Sequence, residues 1–250
     1  MELAGQAIIV TGGASGIGRS TCLALAAKGA DLIVADFNLA GAEDVAGQVE
    51  ALGRKAFAFK VDVSKAEDVA AMVDFAVEKL GTLTGVFNNA GIGDVKPLLE
   101  MGPAEYRKTV SVDQDGVYFG MFYGAKAMVA LGVKGVIVNT ASIYGSVAAR
   151  GCFSYNAAKA AVISMTRSGA LELAEHGIRV AAVAPGFIET AMMDGLDQTV
   201  RAALAAQHVS NRLIQPEEVA EVVVFLFSDA AKAVNGSTVA VDDGFLAFKV

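Results

Sequence analysis

The chain of 250 residues contains little of what metal centres, disulfide frameworks and nucleic-acid surfaces are built from. It has no tryptophan, two cysteines and two histidines, and neither His176 nor His208 has a Cys or His partner at a metal-ligand spacing. We therefore expect no metal site, no disulfide framework and a reduced cytoplasmic protein. Basic residues are outnumbered by acidic ones, 20 against 27, and the net charge of −7 argues against a nucleic-acid partner or an anionic membrane surface.

Long uncharged apolar runs are absent as well. Charged residues such as Lys28 and Asp31 interrupt the apolar segments before they reach the length of a membrane span, and the first residues do not resemble a signal peptide. We expect no membrane partner. A composition of 54% hydrophobic and 19% charged residues is typical of one sizeable core with a sheet buried on both faces, so we expect a single domain over residues 1–250.

Apolar segments alternate with amphipathic stretches along the chain. The apolar segments cover residues 5–11, 31–36, 55–63, 85–90, 135–141, 178–186 and 237–242. Between them, the amphipathic stretches 39–53 and 65–81 predict helices. The pattern predicts an α/β fold with a doubly wound, seven-stranded parallel sheet, flanked by helices in three α/β/α layers.

A glycine-rich turn, TGGASGIG, follows the first predicted strand and opens a helix. Gly12, Gly16 and Gly18 would allow a tight turn, let backbone N–H groups approach a pyrophosphate, and permit close packing of helix on strand. This context favours a dinucleotide site over a plain turn.

Asp36 ends the second predicted strand, about 20 residues beyond the turn, where an acidic side chain can accept hydrogen bonds from an adenosine ribose. Alternatively, it caps the next helix. A carboxylate repels the 2′-phosphate of NADP, and neither Ser15 nor Phe37, which could counter it, is basic. The sequence therefore favours NAD.

Ser142, Tyr155 and Lys159 form a candidate catalytic set. Tyr155 and Lys159 are four residues apart, which places them on one face of a predicted helix. A phenol is a poor base at neutral pH unless a positive charge stabilises its phenolate, and Lys159 supplies such a charge. Ser142 follows a predicted buried strand, so its hydroxyl should lie at the carboxyl end of the sheet, where ligands bind. Taken alone, the Tyr-Lys pair would indicate an ordinary surface helix; the other motifs argue against that.

In this combination the chain resembles the short-chain dehydrogenase/reductase family, in its short single-domain branch, along essentially its whole length. The matching segments, in the family's order, are TGGASGIG at 11–18, Asp36, Asp62 with Val63, NNAG at 88–91, Ser142, Tyr155 with Lys159, and PGFIET at 185–190. The resemblance implies a Rossmann-type fold, with Asp62 and Val63 at the adenine and Ile188 and Thr190 at the nicotinamide carboxamide. The cofactor-binding residues expected in total are Gly12, Ser15, Gly16, Ile17, Gly18, Asp36, Phe37, Asp62, Val63, Asn89, Ala90, Gly91, Tyr155, Lys159, Pro185, Gly186, Ile188 and Thr190.

The resemblance also implies hydride transfer between NAD(H) and a secondary alcohol or ketone. Tyr155 would be the general acid or base, Ser142 would bind the substrate oxygen, and Lys159 would also hold the nicotinamide ribose. The family's active-site Asn falls at Asp113, which we include in the catalytic set. Its main-chain carbonyl would anchor a water-linked proton path, and its carboxylate would either add a negative charge near Lys159 or accept the proton itself. A second departure is Asp243, where the family's closing turn usually has Gly.

The substrate pocket is the least defined part of the expected site. Its candidate lining residues are Gly93, Asp94, Ile143, Tyr144, Arg150, Cys152, Phe153, Phe187, Met192 and Met193. The mainly apolar set favours a hydrophobic or cyclic secondary alcohol. Arg150 would either bind a carboxylate or be a solvated loop residue. By resemblance, residues 190–214 form a mobile lid over the substrate, the alternative being a plain surface hairpin of helices.

Two other functions stay open. One is 3-oxoacyl-acyl-carrier-protein reductase activity, whose enzymes have a segment like PGFIET, although a net charge of −7 offers little for docking an acidic carrier protein. The other is a catalytically silent NAD-binding sensor or scaffold. The resemblance further implies a homotetramer with helix 115–131 in the interface. Its glycines and apolar residues would then face a second subunit, or else the monomer core: Gly116, Val117, Gly120, Met121, Phe122, Gly124 and Met128.

Overall fold

The computed structural model describes residues 2–93 and 95–248, without the side chain of Met192. Two candidate pocket positions, Asp94 and the side chain of Met192, thus lie outside the described residues. The strands are β1 (Ala7–Thr11), β2 (Asp31–Asp36), β3 (Ala56–Lys60), β4 (Gly85–Asn88), β5 (Val136–Thr140), β6 (Arg179–Pro185) and β7 (Thr238–Val241). They form one parallel sheet in the order β3-β2-β1-β4-β5-β6-β7. Every strand falls within a predicted apolar segment.

Helices cover both faces of this sheet. They are α1 (Gly16–Ala27), α2 (Leu39–Ala51), α3 (Ala66–Leu80), α4 (Pro103–Val110), α5 (Gly116–Ala130), α6 (Phe153–Glu172), α7 (Gln198–Ala205) and α8 (Pro216–Phe227). Because side chains alternate along a strand, Ile8 and Val10 of β1 pack with α1, α2 and α8, whereas Ile9 packs with α3, α5 and α6. The predicted three-layer, doubly wound fold is confirmed. Within the described residues, no helix is both long and apolar enough to cross a bilayer.

The chain reverses its direction across the sheet at β1, which has β2 on one side and β4 on the other. In open α/β sheets the crevice at such a switch point, outside the carboxyl ends of the strands, is where ligands bind. The topology therefore places the glycine-rich turn after β1 and the NNAG segment at the end of β4 side by side.

The third strand ends earlier than predicted. Pairing stops at Lys60, which lies opposite Asp36, because β2 ends there and β3 is at the sheet edge. The chain then turns, and the N–H of Lys65 donates to the carbonyl of Asp62 at 3.0 Å. Asp62 and Val63 consequently lie in a loop at the carboxyl edge of the sheet.

A π-helical turn, Ser111–Asp115, joins α4 to α5 without a break. The N–H of Gly116 donates to the carbonyl of Ser111, five residues earlier. Such a turn accommodates one residue more than an α-helical turn and is frequent at functional sites. The sequence analysis predicted a helix over 115–131 and missed this turn, which carries Asp113.

The small residues of α5 face the protein's own sheet. A Cβ at Gly116, Gly120 or Gly124 would lie 3.0, 1.8 or 2.7 Å from side-chain atoms of Val63, Asn88 and Val86 respectively. Val117, Met121 and Met128 are also buried. These residues therefore contact the monomer core and not a second subunit, whereas Phe122 of the same set is exposed. A spacing of four residues does not tell which neighbour a helix approaches.

Candidate active site

A cavity of about 800 Å³ opens at the carboxyl ends of the strands. The predicted cofactor-binding residues that line it are Gly12, Ser15, Gly16, Ile17, Asp36, Phe37, Asp62, Val63, Asn89, Ala90, Gly91, Tyr155, Lys159, Pro185, Gly186, Ile188 and Thr190. The predicted catalytic residues Asp113 and Ser142 line the same cavity. The fold thus brings eight segments of the chain to one space.

The glycine-rich turn lines the cavity with Gly12, Ser15, Gly16 and Ile17. Gly12 and Gly16 have φ values of +65° and +49°, a region that favours glycine. A Cβ at Gly18 would lie 2.0 Å from the carbonyl oxygen of Gly12, so Gly18 keeps α1 close to the turn instead of lining the cavity. Ser15, the N-cap residue of α1, makes no side-chain capping hydrogen bond, and it lines the cavity. The N-terminus of α1 can therefore bind an anion there.

Asp36 supports the same turn. Its Oδ2 accepts a hydrogen bond from the N–H of Ala14 at 3.0 Å, and its Oδ1 accepts one from Asn38 at 2.8 Å. The N-cap of α2 is Asn38, so Asp36 is not that helix's capping residue. Each carboxylate oxygen keeps a lone pair that can accept a ribose hydroxyl.

A basic residue that the sequence analysis missed lies near Asp36. Lys60 pairs with Asp36 in the β2–β3 register, and its ammonium lies 5.7 Å from the centroid of the Phe37 ring. From the sequence, Ser15 in the glycine-rich turn and Phe37 beside Asp36 were the positions expected to counter its charge. The parallel register of two edge strands was the signal that could have found Lys60.

Ser142, Tyr155 and Lys159 come together as their motifs suggest. Ser142 follows β5 in the first turn of chain beyond the sheet, and its Oγ accepts a hydrogen bond from the N–H of Tyr144 at 3.1 Å. Tyr155 lies in the first turn of α6, with Lys159 one turn later on the same face. The Lys159 ammonium is 5.4 Å from the centroid of the Tyr155 ring.

Lys159 is buried among partners that favour its charge. Its Nζ donates to the carbonyl of Thr140 at 3.0 Å and lies 3.1 Å from Oδ2 of Asp113. Burial by itself lowers the pKa of Lys159, but the charges of Asp113 and Tyr155 outweigh it, so the pKa is raised above its ordinary value. The lysine is therefore a fixed positive charge in the cavity wall.

Asp113 is completely buried in the π turn. Its Oδ1 accepts a hydrogen bond from the N–H of Ile92 at 2.9 Å, while Oδ2 faces Lys159. A Cβ at Gly91 would lie 3.0 Å from Oδ2, so the glycine leaves room for the ion pair. The carboxylate is thus in direct contact with Lys159.

The expected substrate residues are only partly at the cavity. Met193 lines it, whereas Gly93, Ile143, Tyr144, Arg150 and Phe187 are not among its described lining residues, and Arg150 is exposed. Ile143, Phe187 and Leu213 instead form a small core, against which Met193, Leu204 and Ala205 of the segment 190–214 pack. Lining residues that the sequence analysis missed are Val61, Ser64, Ile92, Lys108, Ser111, Val112, Thr140, Ala141 and Ala191. Lys108 comes from α4, which no motif marked, and Ser111 and Val112 come from the π turn, where the resemblance marked Asp113 alone.

The segment 190–214 is tied down at both ends. Arg201 of α7 forms an ion pair with Glu189 and donates to the carbonyl of Met193 at 3.1 Å. At the other end, the N–H of Ser210 donates to Asp243 Oδ2 at 2.9 Å. Asp243 has a φ of +44°, which accounts for the family's glycine at this position.

The histidines have structural environments. His208 Nε2 accepts the N–H of Phe187 at 3.2 Å, and Nδ1 lies 2.7 Å from the carbonyl oxygen of Arg212, which requires a proton on Nδ1. His176 lies 3.7 Å from Glu175 at the end of α6. In the part of the chain that the structure describes, no three His, Cys, Asp or Glu side chains are grouped to hold a metal ion.

The chain is similar to known proteins along nearly its whole length. Residues 12–246 match a family model described as enoyl-(acyl carrier protein) reductase. The chain is 43% identical to cis-4-hydroxycyclohexanecarboxylate dehydrogenase of Sinomonas cyclohexanicum, over 96% of both chains. It is 42% identical to cyclohexanol dehydrogenase of Acinetobacter sp. strain SE19, over 95% of this chain and 93% of that one. A crystal structure of a short-chain type dehydrogenase/reductase from Mycobacterium marinum superposes with a TM-score of 0.95 at 32% identity, covering 99% and 98% of the two chains.

Proposed function

Because the chain belongs to the short-chain dehydrogenase/reductase family, we propose that it is an NAD-dependent dehydrogenase of cyclic secondary alcohols. Membership makes it an oxidoreductase that acts on CH–OH groups or on the corresponding ketones. One observation carries the finer proposal: Asp36 and the glycine-rich turn line the same cavity as Ser142 and Tyr155. A dinucleotide and a small alcohol can therefore meet in it.

The turn and Asp36 support NAD as the cofactor. Without side chains at Gly12 and Gly16, the turn and the N-terminus of α1 would hold the pyrophosphate. Asp36 would accept hydrogen bonds from the ribose 2′-hydroxyl and repel a 2′-phosphate. Lys60 beside Phe37 is the group that would favour NADP, so both cofactors must be compared. When bound, the nicotinamide supplies the hydride acceptor or donor.

The protein's own residues bind the substrate oxygen and transfer its proton. Tyr155 takes the proton from the hydroxyl during oxidation and returns it to the carbonyl oxygen during reduction. Ser142 already accepts an N–H hydrogen bond, so its own hydrogen is free to be donated to the substrate oxygen. Lys159, held by Thr140 and Asp113, provides positive charge beside the phenol and a donor for the nicotinamide ribose.

The cavity favours a neutral, apolar substrate. Ile92, Ala141, Ile188 and Met193 contribute apolar lining. Among the described lining residues, the cations are Lys159, which is paired with Asp113, and Lys108, whose side chain is exposed. Arg150, a candidate partner for a substrate carboxylate, is outside the cavity lining. We infer a ring alcohol without a carboxylate, and this supports cyclohexanol-like substrates over hydroxycyclohexanecarboxylates.

3-Oxoacyl-acyl-carrier-protein reductase activity is the second candidate, because relatives of 35% and 37% identity carry that name. A net charge of −7 gives the protein little attraction for an acidic carrier protein, which is why we place it second. A silent NAD-binding sensor is less well supported, since Ser142, Tyr155 and Lys159 all line the cavity.

Three further features complete the proposal. Residues 190–214 act as a lid, which the Arg201–Glu189 ion pair helps to hold closed. The protein assembles as a homotetramer, with the exposed aromatic residues Tyr118 and Phe122 of α5 in the interface. It works in the cytoplasm, where its free thiols Cys22 and Cys152 stay reduced.

The test follows the absorbance of reduced nicotinamide during turnover. Cyclohexanol, 4-hydroxycyclohexanecarboxylate and a linear secondary alcohol are offered for oxidation, and a 3-oxoacyl thioester is offered for reduction. Each is run with NAD(H) and NADP(H). We expect cyclohexanol with NAD to give the highest kcat/KM. In Tyr155→Phe this kcat/KM should fall by a factor of about 10²–10⁴, which is the effect of removing a proton-transfer group.

Tyr106→Phe is the matched control, because it removes a phenol oxygen from α4, outside the described cavity lining. It should keep wild-type rates. Tyr155→Phe retaining more than a tenth of the turnover would refute the catalytic assignment. Tight NADH binding with no turnover of any compound would favour the silent sensor instead.

A further inference from the structure

A buried carboxylate stands directly behind the lysine that faces the catalytic phenol. The side chains of Asp113 and Lys159 have exposed fractions of 0% and 3%, and their charged atoms are 3.1 Å apart. Charges removed from water in this way interact strongly, because little solvent screens them. The pair is well placed to affect a third ionisable group nearby.

The remaining contacts fix both members of the pair. The N–H of Ile92 holds Oδ1 of Asp113, and the carbonyl of Thr140 holds the ammonium of Lys159. The π turn delivers Asp113 to this position, and Gly91 leaves the space it occupies. The carboxylate cannot move away from the lysine without breaking these contacts.

The charge balance around Tyr155 follows from this arrangement. A lone Lys159 would draw the proton off the phenol by stabilising the phenolate, whereas a carboxylate paired with it cancels much of that attraction. Tyr144 is a further ionisable group close enough to interact with Tyr155, and Cys152 in turn interacts with Tyr144. Burial raises the pKa of both, so both stay neutral near neutral pH.

We propose that Asp113 is a positioning residue that sets the pH at which Tyr155 gives up its proton: it holds Lys159 in place, and its negative charge offsets the pull of Lys159 on the phenolate. The proposal rests on the dehydrogenase function above and deepens it. Alcohol oxidation, which needs the phenolate, then rises only toward alkaline pH. Ketone reduction, which needs the phenol, keeps its proton donor at neutral pH.

The first test is the pH dependence of kcat for alcohol oxidation in Asp113→Asn. Loss of the negative charge should move the midpoint of the rate profile down by about one pH unit, the effect typical of one neighbouring charge. Asp113→Ser should show the same shift, because Ser is also neutral. Since Ser differs from Asn in shape, a shared shift would be due to the lost charge. Asp115→Asn, the same change two residues away and outside the cavity lining, should leave the profile unchanged.

A purely structural role for Asp113 would give a different result. Both neutral variants would then lose rate at every pH with an unmoved midpoint, and the proposal would be overturned. A midpoint displaced to higher pH would overturn it as well, since it would mean that Asp113 favours the phenolate.

A spectroscopic titration keeps the proposal testable without turnover. The ultraviolet absorbance of phenolate is followed against pH for wild type and for Asp113→Asn, and the same curve for each protein's Tyr155→Phe counterpart is subtracted. We expect the Tyr155 midpoint to be lower in Asp113→Asn. If no alcohol is oxidised but this shift is seen, the proposed function fails while the role of Asp113 stands. Equal Tyr155 midpoints in wild type and Asp113→Asn would refute the role of Asp113 without refuting the proposed function.

Discussion

At the scale of the residue, Asp36 does two things with one carboxylate. It accepts N–H groups from Ala14 and Asn38, so it shapes the glycine-rich turn, and it faces the place where the adenosine ribose would bind. A substitution there must be designed to change the charge while preserving the shape of the turn. Asn is the closest match, because its amide oxygen can still accept one of the two N–H groups.

We expect Asp36→Asn to narrow the preference for NAD over NADP by roughly ten-fold or more, since it removes the charge that repels a 2′-phosphate. The measurement is kcat/KM for each cofactor at fixed alcohol concentration. Asp44→Asn on α2, an acidic residue outside the cavity lining, is the control and should leave the ratio alone. If the ratio of the two kcat/KM values is unchanged in Asp36→Asn, residues other than Asp36 select the cofactor, and Lys60 is the next to be substituted.

How far the site could be predicted also depends on individual residues. The clustering of the proposed cofactor residues in one cavity could be predicted for those that lie in short motifs at the ends of strands, because a parallel sheet brings those ends together. Arg150 and Phe187 could not be placed, since a side chain's direction in a loop depends on packing that no pattern records. Lys60 was missed for the opposite reason: it contacts Phe37 across two strands and not along the chain.

At the scale of the element, the start of α8 is fastened by a network around Glu218. Arg212 donates to both carboxylate oxygens, at 2.6 and 2.7 Å, and the N–H of Gln215 donates to Oε2 at 2.8 Å. The hydrogen bonds from Arg212, foremost, lower the pKa of Glu218 to about 2. This network joins the end of the segment 190–214 to helix α8.

Because the pKa of Glu218 is lowered on folding, its contribution to stability is complete above the unfolded value of about 4.3 and is lost as the pH falls through about 2. Both side chains are largely exposed, so we expect about 0.5–1 kcal/mol in total. Urea unfolding of wild type and Glu218→Gln should differ by this amount at pH 6 and by about half of it at pH 3. Glu50→Gln on α2 is a control for an unpaired surface carboxylate; a difference that does not vary with pH would contradict the assignment.

The elements themselves were largely predictable. The amphipathic stretches 39–53 and 65–81 became Leu39–Ala51 and Ala66–Leu80, because apolar spacing and a terminal glycine define a helix well. The π turn was not predictable, since one extra residue in a single turn leaves the apolar pattern on each side intact. For the glycines of α5 the sequence left a subunit interface and the monomer core as alternatives, because spacing carries no information about the neighbour, and the structure shows contacts within the monomer.

At the scale of the whole molecule, α5 presents an aromatic face to the outside. Tyr118 and Phe122 have exposed fractions of 50% and 45%, and their rings stack with centroids 6.0 Å apart. Phe119 and Tyr123 extend the same cluster. A cluster of exposed aromatic rings on one helix is typical of a protein interface.

We expect Phe122→Glu to break the proposed tetramer into smaller species at micromolar concentration, because a buried unpaired charge opposes association. Sedimentation velocity measures this directly. Leu52→Glu, at the end of α2 and equally exposed, is the control and should sediment as the wild type does. A wild-type protein that sediments as a monomer would refute the tetramer, and an unaltered Phe122→Glu would place the interface elsewhere.

The π turn at Ser111–Asp115 makes the length of the chain a determinant of the site. Because the turn holds one residue more than an α-helical turn, deleting one residue there would restore a regular helix between flanking segments that keep their orientations, and it would change which residue of the turn faces the cavity. Asp113 would then leave Lys159 although no amino acid in the pocket had been exchanged. In evolutionary terms, the gain or loss of a single codon in this turn could add or remove a charge at the catalytic tyrosine, a route that comparisons of aligned substitutions would overlook.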